Sequence, residues 1–176
     1  MKSYFVVTIT CPDRPGIVER ITETLVQHAA NWEESRMARL GGDFAGMVLV
    51  SVAPDRAGPL AAALQALADE QMTVVVKPTQ AAGDVSASGT LYELQLTGAD
   101  HEGIVHKVSA YLASQGINVE AMETEVVLAP VSATPLFQME AQIHVPSRLP
   151  LAELQGNLAR IGDELGVDIE VHSCGQ

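Results

Sequence analysis

Apolar residues fill Tyr4–Thr10 almost without a break, then thin to Ile17, Val18, Ile21, Leu25 and Ala29. The first pattern predicts a buried strand and the second an amphipathic helix, with Pro15 near its start where a missing N–H costs nothing. Asn31–Leu40 alternates loosely up to Gly41-Gly42-Asp43, a turn signal, and Phe44–Val52 continues as the partner strand of a hairpin. Leu60, Leu64 and Leu67 after Gly58-Pro59 predict another helix, and Thr73–Val76 a closing strand.

The order then repeats. Leu91–Thr97 predicts a strand, and Ile104, Val108 and Leu112 a helix ending near Gly116. Asn118–Leu128 and Leu136–Val145 predict strands around a longer loop at 129–135. Leu154, Leu158, Ile161 and Leu165 predict a helix stopped by Gly166, and Val167–Val171 a last strand. A shift of 87 positions superposes Thr10 on Thr97, Asp13 on Asp100, Gly16 on Gly103, Ile17 on Ile104, Asn31 on Asn118 and Glu33 on Glu120. A period that long means one small domain duplicated. The small, polar stretch at 79–89 predicts a linker between domains at 1–78 and 90–176.

Each half therefore reads β-α-β-β-α-β. Two right-handed crossovers joined by a hairpin give an α+β, ferredoxin-like unit, an antiparallel sheet with both helices on one face. Phe5, Val6, Val7 and Ile9 put apolar residues on both faces of the first strand. The open face is therefore expected to pair with a twin domain or a second chain, giving a homodimer.

Composition narrows the function. Ten Lys and Arg stand against 22 Asp and Glu, for a net charge of −12, so no field attracts a phosphate backbone and direct nucleic-acid binding is not expected. Cys11 and Cys174 lie far apart, the usage of a reducing compartment. No run approaches the ~20 apolar residues of a membrane span, so a cytoplasmic location is expected. The histidines show no HExxH spacing, and Ser35, Ser51 and Ser109 lack a nucleophile-elbow context, so neither a metal, a cofactor nor catalysis is expected.

The turn after each first strand is the candidate site. It ends at a helix N-terminus, where unpaired N–H groups and the helix dipole favour an anion such as a carboxylate. Gly16 and Gly103 serve either close approach of a ligand or turn geometry alone. Asp13 and Asp100 read first as N-caps and second as ligand contacts. Asn31 and Asn118 read first as left-handed caps of the preceding helix and second as amides offered to a ligand. Trp32, the only tryptophan, is expected to pack at an interface.

The strand leading into Asp13-Arg14-Pro15-Gly16-Ile17-Val18, with Asn31 opening the next strand, resembles the signature of ACT domains, the ferredoxin-like modules that sense amino acids. Two in tandem, with Glu34–Met47 in the first, resemble the glycine cleavage system transcriptional repressor family along essentially the whole chain. The resemblance implies a regulator that binds glycine or a similar small amino acid and restrains a transcriptional activator by protein contact. It places ligand contacts on Asp13, Arg14, Pro15, Gly16, Ile17 and Asn31, and on Asp100, Gly103, Ile104 and Asn118, with His101 in the place of Arg14. Two rivals share this topology. One is a small acylphosphatase-like hydrolase, using Arg14 for phosphate and Asn31 for water; the other is an interaction module with no ligand.

Overall fold

The computed structural model describes residues 2–80, 89–130 and 133–174. The chain divides into two compact units, Met1–Asp84 and Val85–Gln176. Of the expected linker, residues 81–88 lie outside the described residues, while Thr79 ends one strand and Gly89 opens the next.

The first unit runs β1 (Ser3–Pro12), α1 (Ile17–Gln27), β2 (Asn31–Leu40), β3 (Asp43–Val52), α2 (Ala57–Gln65) and β4 (Thr73–Thr79), with a single 3-10 turn at Pro54–Arg56. The second runs β5 (Gly89–Ala99), α3 (Ile104–Ser114), β6 (Asn118–Leu128), β7 (Pro135–Pro146), α4 (Leu151–Leu165) and β8 (Val167–Ser173). The sheet orders are β2-β3-β1-β4 and β6-β7-β5-β8, and every pairing is antiparallel. This is the βαββαβ arrangement read from the sequence, made twice.

Residue parity explains the layering. Phe5, Val7, Ile9 and Cys11 of β1 are buried and pack with Val48, Val50 and Val52 of β3 against Ile17, Ile21, Leu25, Leu60 and Leu64 of the helices. Burying one such side chain contributes roughly 1.5–3 kcal/mol. The second core repeats the plan with Leu94, Leu96, Ile143, Ile104, Val108, Leu154 and Leu158. Trp32 is half-buried against the core of its own unit.

The open faces of the two sheets differ. In the first, Val6 lies opposite Leu49, and Thr8 lies between Met47 and Val75, which are 51% and 55% exposed. In the second, Gln95 lies opposite Glu140 and Glu170, Thr97 opposite Asp168, and Glu140 opposite Glu123. The expectation of an apolar open face therefore fails for the second unit. The strict alternation of Leu94-Gln95-Leu96-Thr97 leaves that face polar and able to meet water.

Two glycine-dependent features bear on the site. Gly98 lies against Val167, where an added Cβ would stand 2.8 Å from the Val167 Cα. Gly41 and Gly42 both have positive φ, 61° and 97°, which makes the β2–β3 connection a two-residue hairpin turn.

Candidate functional site

Both first-strand turns end in the same backbone conformation. Gly16 precedes α1 with φ 93° and ψ −1°, and Gly103 precedes α3 with φ 92° and ψ −5°. A residue with a Cβ is strained there, which accounts for glycine at both positions. The space is open all the same. An added Cβ at Gly16 would meet only the Glu19 carboxylate at 3.9 Å, and at Gly103 nothing within 4 Å.

These glycines are the N-caps, and neither helix has a side-chain cap. That corrects the reading of Asp13 and Asp100 as capping residues. Asp13 instead faces Arg39, Oδ2 to Nε 3.4 Å, and its N–H bonds the Gly42 carbonyl at 3.1 Å. The Asp100 N–H bonds the Pro135 carbonyl at 3.1 Å, the equivalent tie to the start of β7. Each turn is thereby fastened to the tip of its own hairpin, and the N–H groups of the first helical turn have no intrahelical acceptor.

The asparagines are also corrected as caps. Asn31 and Asn118 lie in β2 and β6, and the left-handed residues after α1 and α3 are Ala29 (φ 49°) and Gly116 (φ 69°). At each site a bulge follows, and the asparagine amide bonds the carboxylate two residues on. Asn118 Nδ2 lies 2.7 Å from Glu120 Oε1, and Asn31 likewise bonds Glu33. Ile17 and Ile104 are 3% and 2% exposed, so their side chains belong to the cores and only their N–H groups face the turn.

Arg14 reaches the connection between α2 and β4. Nη1 donates to Gln71 Oε1 at 3.2 Å, and Nη2 stands 3.9 Å from Asp69 Oδ2. Asp69 accepts the N–H groups of Gln71 and Met72 at 2.9 and 2.8 Å, which hold its carboxyl below the usual range, helped by Arg14 and Arg20. Sequence reasoning missed Asp69 as a partner of the turn. The polar run Asp69-Glu70-Gln71 after a helix signals only a loop. His101, in the place of Arg14, has Nε2 2.8 Å from the Leu165 carbonyl and Nδ1 3.0 Å from the Glu102 carbonyl. These hydrogen bonds raise its pKa above the ordinary histidine value.

A depression of about 380 Å³ opens at the first turn, between Asp13, Arg14, Pro15, Gly16, Glu19 and Phe44. A larger one, about 460 Å³, lies on the open face of the second sheet between Gln95, Glu123, Glu125, Gln138 and Glu140. Its carboxylates repel an anion, whereas the turns present N–H donors at a positive helix end, so the turns suit a carboxylate better. Among the described residues no three His, Cys, Asp or Glu side chains are grouped to hold a metal. None of the described helices is long and apolar enough to cross a membrane.

The duplicated α+β unit with a glycine-capped helix after its first strand is the architecture of a tandem ACT-fold protein, and residues 3–77 match the model of the ACT domain. The chain belongs to one family with an unknown protein from Galdieria sulphuraria, 36% identical over 99% of this chain and 100% of that one, with a TM-score of 0.86. It also resembles the glycine cleavage system transcriptional repressor of Escherichia coli strain K12, 23% identical over 163 residues, covering 92% of this chain and 85% of the relative. The repressor of Shigella flexneri matches equally. A solved structure provisionally assigned as such a repressor has the same fold, with 21% identity, coverage of 98% and 97%, and a TM-score of 0.69.

Proposed function

We propose that this chain is a non-enzymatic, amino-acid-sensing regulator of the glycine cleavage repressor type. It binds a small amino acid at the first-strand turns and acts through contact with a transcriptional activator, not by binding DNA. The observation that carries the reading is the duplicated turn, with the same left-handed glycine cap at φ 93° and 92° within an ACT-type fold. The N–H groups after Gly16 and Gly103 hold the ligand carboxylate, and the depression beside Asp13 and Arg14 receives the rest. The net charge of −12 supports a protein partner over a nucleic acid. Action in the cytoplasm and a homodimer belong to the same proposal.

Ligand binding regulates by population shift. An amino acid that contacts one arrangement of the regulator better than another changes the surface offered to the activator, to the extent of that difference. The hydrolase reading loses ground because Arg14 is engaged with Gln71 and Asp69, and the Asn31 amide with Glu33.

Thermal-shift measurements with each of the twenty amino acids test the reading, since a ligand of the native state raises the midpoint with concentration. Glycine or another small amino acid is expected to stabilise the wild type. The effect is expected to disappear when Gly16→Val and Gly103→Val are combined. A folded wild type indifferent to every amino acid, or a shift that survives both substitutions, would overturn the proposal.

A further inference from the structure

The residue after the turn aspartate reaches, in both units, across to the connection between the second helix and the last strand. In the first unit it is Arg14, bonded to Gln71 at 3.2 Å and facing Asp69 at 3.9 Å. In the second it is His101, 2.8 Å from the Leu165 carbonyl through Nε2 and 3.0 Å from the Glu102 carbonyl through Nδ1. Both neighbours of the ring are carbonyl oxygens, which accept and never donate. A neutral imidazole carries one N–H and can fill only one of these contacts; the imidazolium fills both. Leu165 is the last residue of α4, so its carbonyl has no intrahelical donor and lies at the negative end of the helix dipole.

We propose that His101 is a proton-operated clamp joining the β5–α3 turn to the C-terminal end of α4, the titratable counterpart of the permanently charged Arg14 clamp of the first unit. The charged and titratable side chains on the surrounding elements include Asp100 and Glu102 on the turn, His106 and Lys107 in α3, Glu153, Arg160, Asp163 and Glu164 in α4, and Asp168, Glu170 and His172 in β8. Lys107 and Glu164 are paired with one another, and Asp100 favours the protonated ring. The hydrogen bonds to Leu165 and Glu102 raise the pKa of the ring above its ordinary value. A raised folded pKa means that the clamp is fully closed below the unfolded value of ~6.5 and is released as pH rises through the folded value.

The two turns then differ in kind: the first is held at every physiological pH, and the second loosens as pH rises through the raised value of the ring. Loss of the imidazolium also removes a positive charge beside the N–H groups that follow Gly103. A weaker second anion site at high pH is the consequence, and this last step alone rests on the amino-acid-binding reading.

The test is a ligand-free NMR titration of the full chain from pH 5.5 to 9, following the ring nitrogens of His101 and the amides of Gly103 and Gly166. His101→Gln identifies the ring signals by their loss. The ring is expected to titrate above ~6.5 and both amides to shift with it. His101→Arg is expected to hold the amides near their low-pH positions throughout. A His101 that titrates at or below ~6.5, or amides that ignore its protonation, would overturn the clamp while leaving amino-acid binding untouched.

Discussion

Asn118 donates from Nδ2 to Oε1 of Glu120 at 2.7 Å across the bulge that heads β6, and the Asn31 side chain also hydrogen-bonds Glu33 at the head of β2. An amide that the sequence leaves free for a ligand is therefore already used to shape the edge strand. In the first unit the link is the start of a network, because Glu33 also accepts from the Ser51 hydroxyl and from Lys2 Nζ, the latter at 3.2 Å.

That network sets an acid limit. The hydrogen bonds from Ser51, Asn31 and Lys2 lower the Glu33 pKa to about 2. A depressed folded pKa contributes stability that is complete above the unfolded value of ~4.3 and is lost as pH falls toward the folded one. Glu33→Gln is expected to flatten the pH dependence of unfolding between ~4.3 and about 2, with little change in its shape near neutrality. Denaturant midpoints measured across that range check it, and an unchanged acid profile would contradict the assignment.

The β-α-β-β-α-β order, both sheets and the duplication were legible because each element carries its own period. The ends of elements were less so. Asp13 looked like an N-cap because capping statistics favour aspartate, but a left-handed glycine closer to the helix took the place. Asn31 looked like a left-handed cap, but the chain left α1 two residues earlier, at Ala29. The partners of Arg14 and His101 sit 57 and 64 residues away, at the connections before the last strands, and no local pattern encodes that meeting.

Ala29 is in a conformation that suits glycine. The Ala30 N–H bonds the Leu25 carbonyl at 2.8 Å and the Ala29 N–H bonds the Val26 carbonyl at 3.0 Å, a Schellman ending with Ala29 at the left-handed position. The second unit has Gly116 in the same role, bonded to Ala113 at 3.0 Å. Ala29→Gly is expected to stabilise the first unit by about 0.5–1 kcal/mol, the relief of the Cβ outweighing the added freedom of the unfolded chain. Gly116→Ala is expected to destabilise the second, since its φ of 69° strains any residue with a Cβ. Denaturation curves of the two variants, moving in opposite directions, are the check.

Gly98 is a steric necessity where its counterpart Cys11 is not. A Cβ at Gly98 would stand 2.4 Å from Val167 Cγ1 and 2.8 Å from its Cα, so β5 and β8 could not keep their spacing. Gly98→Ala is expected to cost ~1–3 kcal/mol, the usual penalty of overpacking. Adding Val167→Ala relieves only the side-chain part of the clash. A double-mutant cycle is expected to show partial rescue, and simple additivity would contradict the close approach.

Asp69 combines two roles that substitution can separate. Its Oδ1 accepts the N–H groups of Gln71 and Met72, at 2.9 and 2.8 Å, while Oδ2 faces Arg14 and Arg20, at 3.9 and 3.6 Å. Exposed ion pairs of that length contribute little, whereas Met72 is 1% exposed and its N–H needs an acceptor. Asp69→Asn retains the acceptor and discards the charge; Asp69→Ala discards both. Hydrogen exchange at the Met72 amide is therefore expected to quicken markedly in Asp69→Ala and only slightly in Asp69→Asn. Equal acceleration in the two would mean that the arginines, and not the turn, hold the α2–β4 connection in place.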